Sequence, residues 1–181
     1  MDSHLKQFSQ PLYSTVAFEE FLNRHGCFQG KKILDIGCGC GAVTNYMASR
    51  HADVQFLGMD YNDFLIRKGR EIPNNQALSN LRLESGNWFD LPQDMKGQVD
   101  GIYNVHTLCC FKRFEPALAC LLALEPEWLA FTSLFYEGPL DVLIHIRDHN
   151  YPLLTDDNPD ADFNTFSLTA IQSYLKERGY T

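Results

Sequence analysis

Ile33-Leu34-Asp35-Ile36-Gly37-Cys38-Gly39-Cys40-Gly41, running on into Ala42-Val43-Thr44-Asn45-Tyr46-Met47-Ala48, decides the fold. It reads as a short apolar strand, three glycines at alternate positions and the start of a helix. Glycine has no Cβ, so the chain can turn sharply there and a ligand can lie directly on the backbone. The helix that follows directs its unpartnered N–H groups and the positive end of its dipole at that ligand. An anionic group is favoured at such a place by roughly 0.3–1 kcal/mol when exposed.

Two ligand classes compete for this loop. Gly37-x-Gly39-x-x-Ala42 satisfies the loose dinucleotide fingerprint, which by itself is weak evidence. Asp35, two residues before the first glycine, bears on the choice. A pyrophosphate gains nothing from a nearby carboxylate, whereas a sulfonium cofactor that carries an ammonium group does. Asp35-x-Gly37-x-Gly39-x-Gly41 after a strand resembles the first motif of the class I S-adenosylmethionine-dependent methyltransferases, in their small-molecule type.

Further motifs agree with that resemblance. Val54–Met59 reads as a second strand and ends in Asp60, 19 residues beyond Gly41. An acid at about that spacing reaches a ribose and accepts hydrogen bonds from both its hydroxyls. Gly58-Met59-Asp60-Tyr61-Asn62 resembles the family's second motif, in which the acid binds the adenosine ribose. Both ligand classes predict this acid, so it supports a nucleoside without choosing between them. Leu81–Ser85 reads as a third strand, and Gly86-Asn87-Trp88-Phe89-Asp90 after it resembles the third motif. The family usually has an acid where Asn87 stands. An amide oxygen can still accept from the adenine amino group, without charge assistance. Trp88 is suited either to flanking the adenine or to simple core packing. Val99–Asn104 reads as a fourth strand, and Asn104-Val105-His106-Thr107-Leu108 resembles the fourth motif, between the methyl group and its acceptor. His106 is the first choice for a general base, since an imidazole can take a proton near pH 7. A structural His at the strand edge is the plainer reading.

On either side of these motifs the pattern is simpler. Ser14 is expected to cap a helix from Thr15 to His25, with Val16, Phe18, Phe21 and Leu22 inward and Gly26 as its stop. Helices are expected over Ala42–Ser49, Asp63–Glu71 and Phe114–Leu124, and a fifth strand over Trp128–Leu134. Such β-α repeats imply a doubly wound, mostly parallel sheet. Residues 135–166 read as a lid-like insertion in which Leu140 to Ile146 fits helix or strand equally well. Tyr136 leaves the fifth strand at the ligand edge, and further on His149 is crowded together with His145, Arg147, Asp148 and Tyr151. His145 and His149 lack a third ligand, and Asp156, Asp157, Asp160 and Asp162 lack the glycine of a calcium loop, so no metal is expected. Ser167 caps a last helix that Gly179 stops. The family follows that helix with a strand 6–strand 7 hairpin that this sequence does not contain, so a shortened chain is the expectation.

Composition narrows the function classes. The net charge of −8 and the lack of a basic run longer than Arg67-Lys68-Gly69-Arg70 argue against nucleic acid. No apolar run reaches the ~18–20 residues of a membrane span, and the N-terminus has no signal pattern. The six cysteines form no C-x-x-C pair and read as small buried residues of a reducing, cytoplasmic protein.

The resemblance therefore implies an α/β, doubly wound, Rossmann-like single domain over residues 1–181. Its parts are an N-terminal segment and helix (1–29), a cofactor-binding core (30–134), a substrate-lid insertion (135–166) and a last helix (167–181). It implies methyl transfer from S-adenosylmethionine to an O, N or S atom of a small molecule. Asp35, Gly37, Cys38, Gly39, Asp60, Tyr61, Asn87, Trp88 and Asn104 would hold the cofactor, with His106, Tyr136 and His149 toward the acceptor. A homodimer is compatible with it. The alternatives are an NAD(P)-dependent oxidoreductase, for which no Tyr is followed by Lys four residues later, and a truncated relative that binds cofactor without turnover.

Overall fold

The computed structural model describes residues 6–30, 32–147 and 160–180. Its centre is a parallel sheet of β1 (Lys32–Ile36), β2 (Gln55–Asp60), β3 (Leu81–Ser85), β4 (Gly101–Val105) and β5 (Trp128–Thr132). Their order in space is β3-β2-β1-β4-β5. The expected doubly wound architecture is therefore the observed one. The chain winds outward from β1 to β3, then returns to lay β4 on the other side of β1. Between the carboxyl ends of β1 and β4 the winding reverses, and such a crevice is where open α/β sheets take their ligands.

Alternation along the central strands builds two cores. On one face Leu34, Ile36 and Ile102 pack with Ala117, Leu118 and Leu121 of α5 (Phe114–Leu122) and with Ile171 of the helix Leu168–Lys176. On the other, Ile33, Phe56 and Tyr103 pack with Phe18 and Leu22 of α1 (Tyr13–Arg24), Met47 of α2 (Ala42–Arg50) and Ile66 of α3 (Asp63–Glu71). Successive strand residues point to opposite faces, so both faces must be covered by apolar helix stripes. A short α4 (Pro73–Gln76) follows α3, and Leu168–Lys176 is α6.

Several boundaries differ from the sequence expectations. Ser14 does not cap α1: the helix starts at Tyr13, and the N–H groups of Thr15 and Val16 donate to the Leu12 carbonyl. Its inward side is Thr15, Phe18, Glu19 and Leu22, while Phe21 is exposed and meets the His25 ring at a 45° tilt. Buried Glu19 is tolerated because His51 and Arg50 both pair with it. Among its described residues the insertion forms short strands and no helix. β6 (Phe135–Tyr136) pairs in parallel with β9 (Phe166–Ser167), and β7 (His145–Arg147) pairs antiparallel with β8 (Asp160–Asp162). Ser167 caps α6 through the Ala170 N–H, as its type and position suggest. All five residues of β5 are half-buried, and among the described residues no strand pairs with its outer edge. His149, Asp156 and Asp157 lie outside the described residues.

Candidate active site

The crevice is built by the loop after β1 and the turn after β4. The glycine loop leaves β1 with Gly37 at φ +78°, a left-handed conformation that costs a side chain roughly 1–2 kcal/mol. A Cβ there would also stand 2.3 Å from Thr107 Oγ1 and 2.9 Å from Thr107 Cβ. At Gly39, φ +58°, an added Cβ would meet nothing within 4 Å, so bare backbone faces open space. The loop is held by its neighbours. Met59 O accepts from the Gly37 N–H at 2.7 Å and the Cys38 N–H at 3.1 Å. Asp60 at the end of β2 accepts the Gly39 N–H on Oδ2 at 2.8 Å and the Asn62 N–H on Oδ1 at 2.9 Å. A carboxylate has about four lone-pair sites, so this leaves capacity on both oxygens.

Asp35 sits one residue before the end of β1 and is 1% exposed. Thr44 Oγ1, from the first turn of α2, donates to its Oδ2 at 2.6 Å. The hydroxyl of buried Tyr103 lies near the same carboxyl without reaching a normal hydrogen bond. Burial pushes the Asp35 carboxyl up to about 7, against the pull of Thr44 and Tyr103 and with a further push from Asp60. A carboxyl so placed favours a cationic group as its partner.

Two cavities meet at this loop. One, of about 380 Å³, is walled by Asp60, Tyr61, Asn87, Trp88, Phe89 and Phe111. The other, of about 230 Å³, lies over Asp35, Cys38, Gly39 and Val43 and reaches His106 and the N-terminal residue Leu12. Gly37 lines both. Each cavity thus carries one of the two acids that the sequence singled out. Ala42 and Val43, the first two residues of α2, line the smaller cavity, and their N–H groups have no partner within the helix. A nucleoside with a short zwitterionic tail matches this set of donors, acids and walls.

The other expected residues fall into different places. Trp88 packs in the core, where its indole N–H donates to Ala117 O at 2.8 Å, and its ring, edge-on to Phe111, also lines the larger cavity. Asn87 Oδ1 already accepts the Phe89 N–H at 2.9 Å, which turns Phe89 toward Phe111. Tyr61 is 66% exposed at the mouth. Asn104 departs from the expectation of cofactor contact. It is fully buried and uses its amide on the protein, donating to Ile36 O and accepting the N–H groups of Thr107 and Leu108. His106 stands exposed at φ +60°, an uncommon conformation for a residue other than glycine and one that concentrates at functional sites. Tyr136, on β6, lines neither cavity.

Sequence reasoning missed Thr44, Thr107, Phe111 and Cys110. Thr44 carried a signal, a hydroxyl on the first turn of the helix that the glycines introduce. Phe111 and Cys110 reach the larger cavity only through the turn Leu108–Cys110, and spacing gave no sign of it. Cys110 is exposed, not buried as expected; its thiol is pushed up to about 11 by partial burial and by the adjacent Cys109. Among the described residues no group of three metal-ligating side chains occurs. No helix of the described residues is long and apolar enough to cross a membrane.

A family model described as a methyltransferase domain matches residues 28–180. The ubiquinone biosynthesis O-methyltransferase of Acinetobacter baumannii (strain AYE) is 29% identical over 150 residues, which are 79% of this chain and 60% of that protein. The 24-methylenesterol C-methyltransferase 2 of Arabidopsis thaliana is 30% identical over 91 residues, 50% of this chain and 25% of that one. The chain thus spans about 60% of the length of the first of these relatives. Among solved structures, the N-terminal domain of EvdMO1 with SAH and D-fucose superposes with a TM-score of 0.64 at 16% identity, covering 93% of this chain and 73% of that one. Coclaurine N-methyltransferase bound to N-methylheliamine and SAH superposes with a TM-score of 0.55 at 17% identity, covering 77% and 39%. At these identities the likeness concerns the fold.

Proposed function

Because this chain belongs to the methyltransferase-domain family, with the class I fold, we propose that it transfers the methyl group of S-adenosylmethionine to a small-molecule acceptor. One observation carries the reading: two cavities share Gly37, and each holds one buried acid, Asp60 in the larger and Asp35 in the smaller. The pyrophosphate that a dinucleotide would lay on this loop has no cation to set against Asp35. The curated relatives are methyltransferases by name, which leaves the oxidoreductase alternative without support.

In this reading the spare lone pairs of Asp60 take the ribose hydroxyls. Trp88, Phe89 and Phe111 flank the adenine, and Asn87 accepts from its amino group. Asp35 faces the ammonium, and the first N–H groups of α2 face the carboxylate. Bound cofactor supplies an electrophilic methyl on a sulfonium. The protein's share is positioning, because reacting atoms held ~3–3.5 Å apart gain most of the acceleration such a displacement needs. His106, at the end of the smaller cavity, takes the acceptor's proton; it does so without Tyr136, which lies away from both cavities. Among the described residues the cavity walls carry no Lys or Arg, which suits a neutral or cationic acceptor. Six unbonded cysteines suit the cytoplasm. The open edge of β5 suits a homodimer.

Titration calorimetry tests the assignment. S-adenosylhomocysteine is expected to bind at micromolar concentration and NAD to give no heat; the reverse result would sink the proposal. Asp35 adds a pH dependence. Below pH 7 the empty site holds a proton on Asp35 that the ligand's ammonium must displace, so affinity falls as pH falls; above pH 7 that proton is already gone. S-adenosylhomocysteine affinity is expected to rise roughly tenfold from pH 5.5 to 7, a range in which an α-amino group stays largely charged. Asp35→Asn is expected to bind more weakly at pH 7 and with no such slope.

A further inference from the structure

The peptide between Gly37 and Cys38 lies where the two cavities join, and it is held at both ends. Its N–H, from Cys38, donates to Met59 O on the β2 side at 3.1 Å. Its C=O, from Gly37, accepts the Thr107 hydroxyl on the β4 side at 3.3 Å. The plane of that peptide is therefore tied to the strands on either side of β1. Thr107 is held in turn by Asn104, which accepts the Thr107 and Leu108 N–H groups on Oδ1 and donates to Ile36 O, one residue before Gly37. Thr107 also packs so closely on Gly37 that no Cβ fits between them. It lines the larger cavity, while its neighbour His106 lines the smaller.

We propose that Thr107 is a positioning residue: by pinning the Gly37–Cys38 peptide plane it sets the separation of the nucleoside and amino-acid half-sites. The inference rests on the cofactor reading above and deepens it. A left-handed glycine leaves its following peptide free to rotate, because no side chain opposes the turn. Two ligand halves joined by a thioether must be met by two half-sites at one spacing. A peptide that turned would shift Cys38 and Gly39 against Asp60 and misalign only a ligand long enough to span both cavities. A ligand confined to the larger cavity would not sense it.

The test compares S-adenosylhomocysteine, which spans both cavities, with 5′-methylthioadenosine, which lacks the amino-acid half. Thr107→Val keeps the shape and removes the hydroxyl. It is expected to weaken S-adenosylhomocysteine about fivefold, the effect of one modest hydrogen bond, and to leave 5′-methylthioadenosine within about twofold. Thr107→Ser is expected to restore the first ligand. In the ligand-free protein, hydrogen exchange at the Cys38 amide is expected to quicken in Thr107→Val and return to normal in Thr107→Ser. Equal weakening of both ligands, or none, together with unchanged Cys38 exchange, would overturn the proposal. If the unaltered protein bound neither ligand, the cofactor reading would fail, and Cys38 exchange alone would still decide whether Thr107 pins the peptide.

Discussion

Replacing Asp60 with Ala is expected to weaken S-adenosylhomocysteine binding by about two to three orders of magnitude, roughly 3–4 kcal/mol. Two effects act together. The ligand loses a charged acceptor for both ribose hydroxyls, and hydrogen bonds to charged groups contribute about 1.5–3 kcal/mol each. The protein loses the oxygen that accepts the Gly39 N–H and the one that accepts the Asn62 N–H, so the glycine loop and the start of α3 are loosened. Asp60→Asn separates the two. Its single amide oxygen can satisfy one backbone donor, so it is expected to keep more of the fold's stability than of the ligand affinity. Calorimetry beside thermal unfolding of both variants reads the difference. An Asp60→Ala protein that bound the ligand within threefold of normal would remove the ribose from this end of β2.

Gly37→Ala is expected to abolish measurable binding and to lower the unfolding temperature. The left-handed backbone alone costs about 1–2 kcal/mol with a side chain. The new methyl would also meet Thr107 Oγ1 at 2.3 Å and Thr107 Cβ at 2.9 Å, and the latter is no flexible tip. Either the loop or the turn after β4 must move, and each lines a cavity. Gly39→Ala is the informative control. It carries the backbone cost without any clash inside the protein, so it is expected to lower the unfolding temperature by only a few degrees, clearly less than Gly37→Ala does. Near-equal unfolding temperatures for Gly37→Ala and the natural chain would show that the loop yields easily, against the packing described.

Much of this arrangement was legible in the sequence because it rests on local rules. The strand Lys32–Ile36 and the helix after Gly41 follow from an apolar run, glycines and a change of period. Asp60 follows from its spacing beyond Gly41 and from the resemblance of residues 58–62 to the second motif. The start of α1 was misread because Ser14 has the right type for a cap, yet the Leu12 carbonyl already accepts the first helical N–H groups. Asn104 was placed against the cofactor because it stands in the fourth motif. Only the folded chain shows that Ile36 O and two N–H groups take up its amide. Phe111 and Thr107 were not legible as site residues, since their roles depend on a turn that brings them against β1 and on nothing periodic. The insertion after β5 offered apolar residues in both helical and alternating register, and its pairing partners lie far along the chain.

The glycine loop is already tied down by Met59, Asp60 and Thr107 before any ligand arrives. Little ordering remains to be done on arrival, so association should be quick and without a slow second phase. The same rigidity has a cost in turnover. Spent and fresh cofactor differ by one methyl and the charge on sulfur but present the same nucleoside and amino-acid groups to the same fixed walls, so the demethylated product is expected to be held with comparable firmness. If the chain turns over as proposed, throughput is expected to depend on a downstream reaction that consumes this by-product, with accumulated S-adenosylhomocysteine slowing the rate.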